Sequence, residues 1–139
     1  MALVKDIMTP SVVTVPHNAE VDVAIELILT KKVSALAVVD SHGSLLGVLS
    51  EFDLLELCGK LAESDAALHP CSEYMTSPVK SVSPHASIDV VAKIFQAASI
   101  RRLFVTEGDK LVGVISRRDL LRYVRENRHV SHAAQPATV

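Results

Sequence analysis

The 139-residue chain contains no tryptophan, two tyrosines and three phenylalanines. A single-strand nucleic-acid binder needs aromatic side chains interleaved with basic ones, and those are missing. The formal charge of −2 argues against nucleic acid on electrostatic grounds as well. Five glycines cannot build a phosphate-wrapping loop, and neither a Walker nor a dinucleotide-fold glycine pattern occurs. Cys58 and Cys71 are too few and too far apart for a disulfide framework or a Cys-x-x-Cys pair, which makes free thiols in a cytoplasmic protein the expectation. No apolar run approaches the ~20 residues that span a bilayer, and Met1-Ala2-Leu3-Val4-Lys5-Asp6 lacks the layout of a signal peptide. Ser50 and Ser116 do not sit in Gly-x-Ser-x-Gly, and no His or Lys is placed as an obvious base. No enzyme is therefore expected.

What is present is a globular composition, 49% apolar and 22% charged, with too little chain for two ordinary domains. Charge is unevenly distributed. Residues 1–72 hold 4 basic and 10 acidic residues, a net −6, whereas residues 73–139 hold 10 basic and 6 acidic, a net +4. An anion would be sought in the second half.

The chain repeats itself. Met8-Thr9-Pro10-Ser11-Val12-Val13-Thr14-Val15 recurs as Met75-Thr76-Ser77-Pro78-Val79-Lys80-Ser81-Val82, an offset of 67. At the same offset Ala19, Asp22, Val23, Leu36 and Val38 meet Ala86, Asp89, Val90, Leu103 and Val105. One residue is then lost in a turn, and at an offset of 66 Leu45, Gly47, Val48, Ser50, Asp53, Leu54 and Leu55 meet Leu111, Gly113, Val114, Ser116, Asp119, Leu120 and Leu121. Each unit reads β-α-β-β-α. Strands are expected over 12–15, 36–39 and 45–49 and over 103–105 and 111–115. Val21, Ala24, Ile25, Ile28 and Leu29 fall at helical spacing, as do Ile88, Val91, Ala92 and Phe95. A second helix starts after Ser50 and after Ser116, and the first of these is expected to extend beyond residue 56. The limits that follow are a first repeat over 4–62, a linker over 63–72, a second repeat over 73–126 and a tail over 127–139. A unit of this size is marginal alone, so two units packed with pseudo-twofold symmetry, enclosing two equivalent pockets, are expected.

Gly47-Val48-Leu49-Ser50-Glu51-Phe52-Asp53 and Gly113-Val114-Ile115-Ser116-Arg117-Arg118-Asp119 each run from strand into helix. Two readings fit the spacing. In one, Ser and Asp form a capping box that satisfies orphan backbone N–H groups. In the other, the hydroxyl, the carboxylate and the positive end of the helix face a ligand, the carboxylate accepting hydrogen bonds from a cis-diol, and the glycine lets a flat ring approach the backbone. Spacing alone leaves both open.

The duplicated unit, Ala35-Leu36-Ala37-Val38-Val39-Asp40, and the two Gly-h-h-Ser-x-x-Asp motifs resemble the CBS domain family, over residues 4–125, as the tandem pair called a Bateman module. The resemblance implies an α/β fold of two packed repeats and a regulatory rather than catalytic role. It also implies an adenosine-containing ligand (AMP, ADP, ATP or S-adenosylmethionine) in the cleft, with no cofactor required. Carried over by position, one site uses Ser116 and Asp119, with Val114 under the base, Val13, Val33, Ser34 and Ala35 as the opposite wall, and Arg101 and Arg102 for phosphate. The twin uses Val48, Ser50 and Asp53, with Lys80, Ile100 and Arg101 across the cleft. Because Glu51 stands where the other motif has Arg117, and Ser34-Ala35 where the other has Arg101-Arg102, the Asp119 site is expected to take a phosphorylated ligand and the Asp53 site to be weaker. A homodimer and an effector protein are the implied partners, with no membrane. The rival reading is an oligomerisation scaffold with vestigial pockets.

Three features stand outside the motifs. Arg118, Arg122 and Arg125 share one face of the last helix, for phosphate, an acidic partner or plain solvation. His129 and His132 form a His-x-x-His in the tail without further ligands, and His17, His42, His69 and His85 sit in turns facing solvent. Met8 and Met75 are expected to plug the core between repeats.

Overall fold

A computed structural model of the chain describes residues 2–63 and 69–128. Its elements are α1 (Val4–Ile7), β1 (Thr14–Pro16), α2 (Val21–Lys31), β2 (Ala35–Val39), β3 (Leu45–Ser50), α3 (Glu51–Leu54), β4 (Ser81–Val82), α4 (Ile88–Ala97), β5 (Arg102–Glu107), β6 (Lys110–Ser116) and α5 (Arg117–Asn127). They form two three-stranded sheets of order β1-β2-β3 and β4-β5-β6, the first pair in each parallel and the second antiparallel. The expected β-α-β-β-α order therefore appears twice. Even the register irregularity recurs, between Val38 and Val39 and between Val105 and Thr106.

Six buried positions of the two cores correspond. Val15, Ala24, Ile28, Leu36, Val38 and Leu49 are buried in the first, and Val82, Val91, Phe95, Leu103, Val105 and Ile115 in the second. Alternation in the strands and the 3.6-residue period in α2 and α4 put these side chains on the inner faces.

The segment leading into each repeat crosses to the other repeat. In α1, the Val4 and Lys5 amides donate to the Ala86 and Pro84 carbonyls at 2.8 and 2.9 Å, and Val4 is fully buried in the second core. Reciprocally, Cys71 and Tyr74 are buried in the first core, and the Cys71 amide donates to the Ala19 carbonyl at 2.8 Å. Burial raises the Cys71 thiol pKa, so it stays neutral at ordinary pH. The two crossings mirror one another. Thr9 pairs with Val114 and Thr76 with Val48, each through two backbone hydrogen bonds of 2.8–3.0 Å.

This crossing explains Gly47 and Gly113. A Cβ on Gly47 would lie 2.7 Å from Met75 Sδ and 2.8 Å from the Thr76 carbonyl oxygen, and one on Gly113 would lie 2.7 Å from Met8 Sδ and 2.9 Å from the Thr9 carbonyl oxygen. The space expected to admit a ligand ring is filled by the exchanged segment. Each methionine packs on one core, Met75 on the first and Met8 on the second, rather than plugging a shared core between the repeats.

The repeats diverge after the motif. α5 runs for 11 residues, but α3 ends after 4 and continues as a tight 3-10 segment over Leu55–Lys60. Short helices depend on tertiary packing of an apolar face. Here Phe52, Leu55 and Leu61 are 80%, 61% and 84% exposed, so little of that face is covered within the chain. Strand β1 begins at Thr14, later than the expected Val12, although the Ala37 amide of β2 still donates to the Val13 carbonyl at 3.1 Å.

Candidate functional site

Both serines of the motifs are helix N-caps. Ser116 Oγ accepts from the Asp119 amide at 3.2 Å, and Asp119 Oδ2 accepts from the Ser116 amide at 2.8 Å. Ser50 and Asp53 repeat this at 3.2 and 2.9 Å, and Ser50 Oγ also donates to Asp53 Oδ2 at 2.9 Å. The capping reading is thus realised at both motifs. The second carboxylate oxygen separates them. Asp119 Oδ1 accepts from Arg122 Nη1 at 3.0 Å, whereas Asp53 Oδ1 accepts from Thr76 Oγ1 at 3.1 Å. A carboxylate offers about four lone-pair sites, so capping does not exhaust either side chain.

Two cavities open beside the motifs. The larger, about 660 Å³, lies between the repeats and collects Ser34, Ala35, Val48, Ser50, Lys80, Ile100, Arg101 and Arg102. Its wall is completed by Phe52, Val79, Ser99, Leu103 and Phe104. The smaller, about 420 Å³, is lined by Ser116 and four arginines, Arg101, Arg102, Arg117 and Arg118. Arg102 links the repeats, its Nη2 donating to Ser34 Oγ at 3.0 Å, and Arg117 Nε donates to the Ile100 carbonyl at 2.6 Å.

The expected site residues therefore divide unevenly. Ser50, Val48, Lys80 and Ile100 meet in the larger cavity, joined by Ser34, Ala35, Arg101 and Arg102 from the Asp119 set. Ser116 lines the smaller one. Val13 and Val33 pack on the first core, and Val114 is held between Phe104 in the sheet and Thr9. Asp53 lines neither cavity, and Asp119 lines a recess of about 140 Å³ with Asp6, Ile7 and Arg122. Glu51 faces an apolar groove beside α2 rather than the larger cavity, so it presents no lining carboxylate to an anion there. Sequence reasoning missed Phe52, Val79, Ser99, Leu103 and Phe104 as lining residues, and placed Arg117 and Arg118 outside the site sets. The two arginines were legible as part of a charge cluster suited to phosphate, but Phe52 and Ser99 carry no signal that distinguishes them from surface.

The remaining candidates resolve simply. Arg118, Arg122 and Arg125 do share a face, around a recess of about 450 Å³. His69 Nδ1 lies 2.7 Å from Glu73 Oε2, and His85 Nε2 lies 3.4 Å from Glu107 Oε2, so these two face carboxylates rather than solvent alone. His129 and His132 lie outside the described residues. Among the described residues no His/Cys/Asp/Glu cluster could hold a metal, and no helix is long and apolar enough to cross a membrane.

A duplicated α/β unit with exchanged leaders and a polar-apolar cleft between the copies defines the fold as a tandem two-repeat module. The sequence profile of the CBS domain matches residues 4–60 and 71–126, and the chain belongs to the CBS domain family. It is 29% identical over 130 residues to the uncharacterized protein MJ1225 of Methanocaldococcus jannaschii, covering 93% of this chain but only 45% of that relative. It is 32% identical over 120 residues to the CBS domain-containing protein YhcV of Bacillus subtilis, covering 86% and 84%. Among solved structures it is similar to CBSX2 of Arabidopsis thaliana in complex with AMP, with TM-score 0.79, 30% identity, and coverage of 91% of this chain and 98% of the other.

Proposed function

We propose that this chain is a regulatory sensor of a phosphorylated adenosine ligand and that it seats the nucleoside in the larger cavity. One observation carries the reading. That cavity alone among the two combines an apolar wall for a base, from Ala35, Val48, Ile100 and Phe104, with the cations Lys80, Arg101 and Arg102 for phosphate. The volume is within the range of small-molecule sites, ~300–1,000 Å³. Guanidinium groups suit phosphate through paired N–H donors. The Ser116 cavity has the charge but no apolar side chain among its lining residues, which makes it a phosphate extension rather than a nucleoside pocket. This reading moves the nucleoside from the Asp119 side, where charge comparison placed it, to the Ser50 side, where Glu51 does not line the pocket. CBSX2, solved with AMP, supports the ligand class. S-adenosylmethionine carries a net positive charge beside its sulfur and suits an arginine-lined pocket less well.

The chain works as a homodimer and passes the signal to an effector protein. Binding matters only through unequal affinity for the two repeat arrangements. A thermal-shift panel of AMP, ADP, ATP and S-adenosylmethionine tests the reading. A binding nucleotide at ~100 times its Kd stabilises by about 2.7 kcal/mol. No shift with any of the four would favour the scaffold reading, in which Ser50/Asp53 and Ser116/Asp119 are caps and nothing more.

A further inference from the structure

The first turns of α3 and α5 are one structure built twice. The Glu51 amide donates to the Ser34 carbonyl at 2.9 Å, the Arg117 amide donates to the matched Arg101 carbonyl at 3.1 Å, and a Ser–Asp cap closes each turn. The next residue, Phe52 in one repeat and Arg118 in the other, therefore leaves the backbone at the same place in both. Each lines the cavity beside its own motif, Phe52 the larger and Arg118 the smaller. At that position one repeat offers an aromatic ring and the other a guanidinium. Phe52 also differs from the other two phenylalanines. Phe95 and Phe104 are 7% and 6% exposed, and Phe52 is 80% exposed. A single exposed apolar side chain is ordinary on a protein surface. One held on a capped turn, lining a cavity with an apolar wall, is placed to be covered by whatever enters that cavity.

We infer that Phe52 sets the base specificity of the larger cavity, its ring stacking on a purine while Lys80, Arg101 and Arg102 hold the phosphate. The inference rests on the proposed function, which puts the nucleoside in this cavity, and adds the residue that reads the base and the class of base it favours. A phenyl ring has no hydrogen-bond donor or acceptor, so it reads the flat area of a base and not its edge. A bicyclic purine covers more of that ring than a pyrimidine does, and removes more apolar surface from water. Purine nucleotides therefore gain most from Phe52. At the matched position of the second repeat, Arg118 supplies charge, which favours phosphate. The exchange of ring for guanidinium thus separates two cavities that duplication made alike.

Calorimetric titration of AMP and CMP into the wild type and the Phe52→Ala and Phe52→Trp proteins tests this. The wild type should bind AMP at least about fivefold more tightly than CMP. Phe52→Ala should lose about tenfold in affinity for AMP and less for CMP. It should keep the parent's denaturant midpoint, because the side chain it removes is exposed. Phe52→Trp should hold AMP within about threefold of the parent, since an indole also stacks. The chain has no other tryptophan, so the emission of this variant should change on adding AMP and stay constant with inorganic phosphate at the same concentration. Where the wild type binds AMP, three results overturn this inference and leave the proposed function standing: Phe52→Ala that binds AMP as tightly as the parent, wild type that binds CMP as tightly as AMP, or Phe52→Trp emission that saturating AMP does not move. A wild type that binds no AMP would remove the proposed function and this inference together.

Discussion

The two halves of this molecule agree inside and disagree outside. Most core positions correspond, the leaders cross symmetrically, and both motifs close the same Ser–Asp cap. The surfaces around the motifs diverge. After Ser116 comes an eleven-residue helix rich in arginine, while after Ser50 come four helical residues and an uncovered apolar stretch. Duplication preserved what the fold requires, and the cleft was differentiated at positions that cost the fold little. Surface substitutions away from caps and cores usually change stability by under about 0.5 kcal/mol.

The sharpest way to break the internal equivalence is at the glycines. Gly47→Ala and Gly113→Ala each set a methyl against a methionine sulfur and a threonine carbonyl, and each should lose about 1–3 kcal/mol by overpacking, read from denaturant midpoints. Unequal losses would show that one exchanged leader is the looser. The caps come next. Ser50→Ala and Ser116→Ala should each cost about 1 kcal/mol, but the Ser50 variant should weaken AMP binding more than the Ser116 variant, because Ser50 lines the larger cavity and Ser116 only the phosphate extension. The smallest effect separates the two hairpin turns. In the first repeat, Asp40 Oδ1 accepts from the Ser44 and His42 amides at 2.9 and 2.8 Å, and these bonds, Ser44 first, lower its pKa below 3.8. A lowered carboxyl pKa adds stability that is complete above the unfolded value and fades as pH falls through the folded one. Protection of the His42 and Ser44 amides from exchange, relative to the intrinsic rate, should therefore fall only below about pH 4, with no matching change at Gly108 in the second repeat's turn.

Much of the fold was legible because it is written twice. The strands, the first helix of each repeat and the motif positions follow from apolar period and from self-alignment, and nine of the expected site residues line the two cavities beside the motifs. The crossing of the leaders was not legible, because Met8-Thr9-Pro10 and Met75-Thr76-Ser77 look alike whichever core they enter. The short α3 was hidden for a related reason. Glu51 to Leu57 has good helix formers, and only tertiary cover decides how far such a helix runs. The charge comparison of Glu51 with Arg117 was sound as sequence but silent on direction, since a residue that opens a helix can face either the cleft or the groove outside it.

The most direct test of the account is calorimetric titration of AMP into the wild type and into the Val48→Trp and Arg118→Ala variants. Filling the apolar wall at Val48 should abolish binding, while Arg118→Ala, which trims only the smaller cavity, should leave the nucleoside bound with affinity within about threefold of the parent (about 0.7 kcal/mol). AMP that binds the Val48→Trp protein as tightly as the parent would place the nucleoside elsewhere and contradict the central claim.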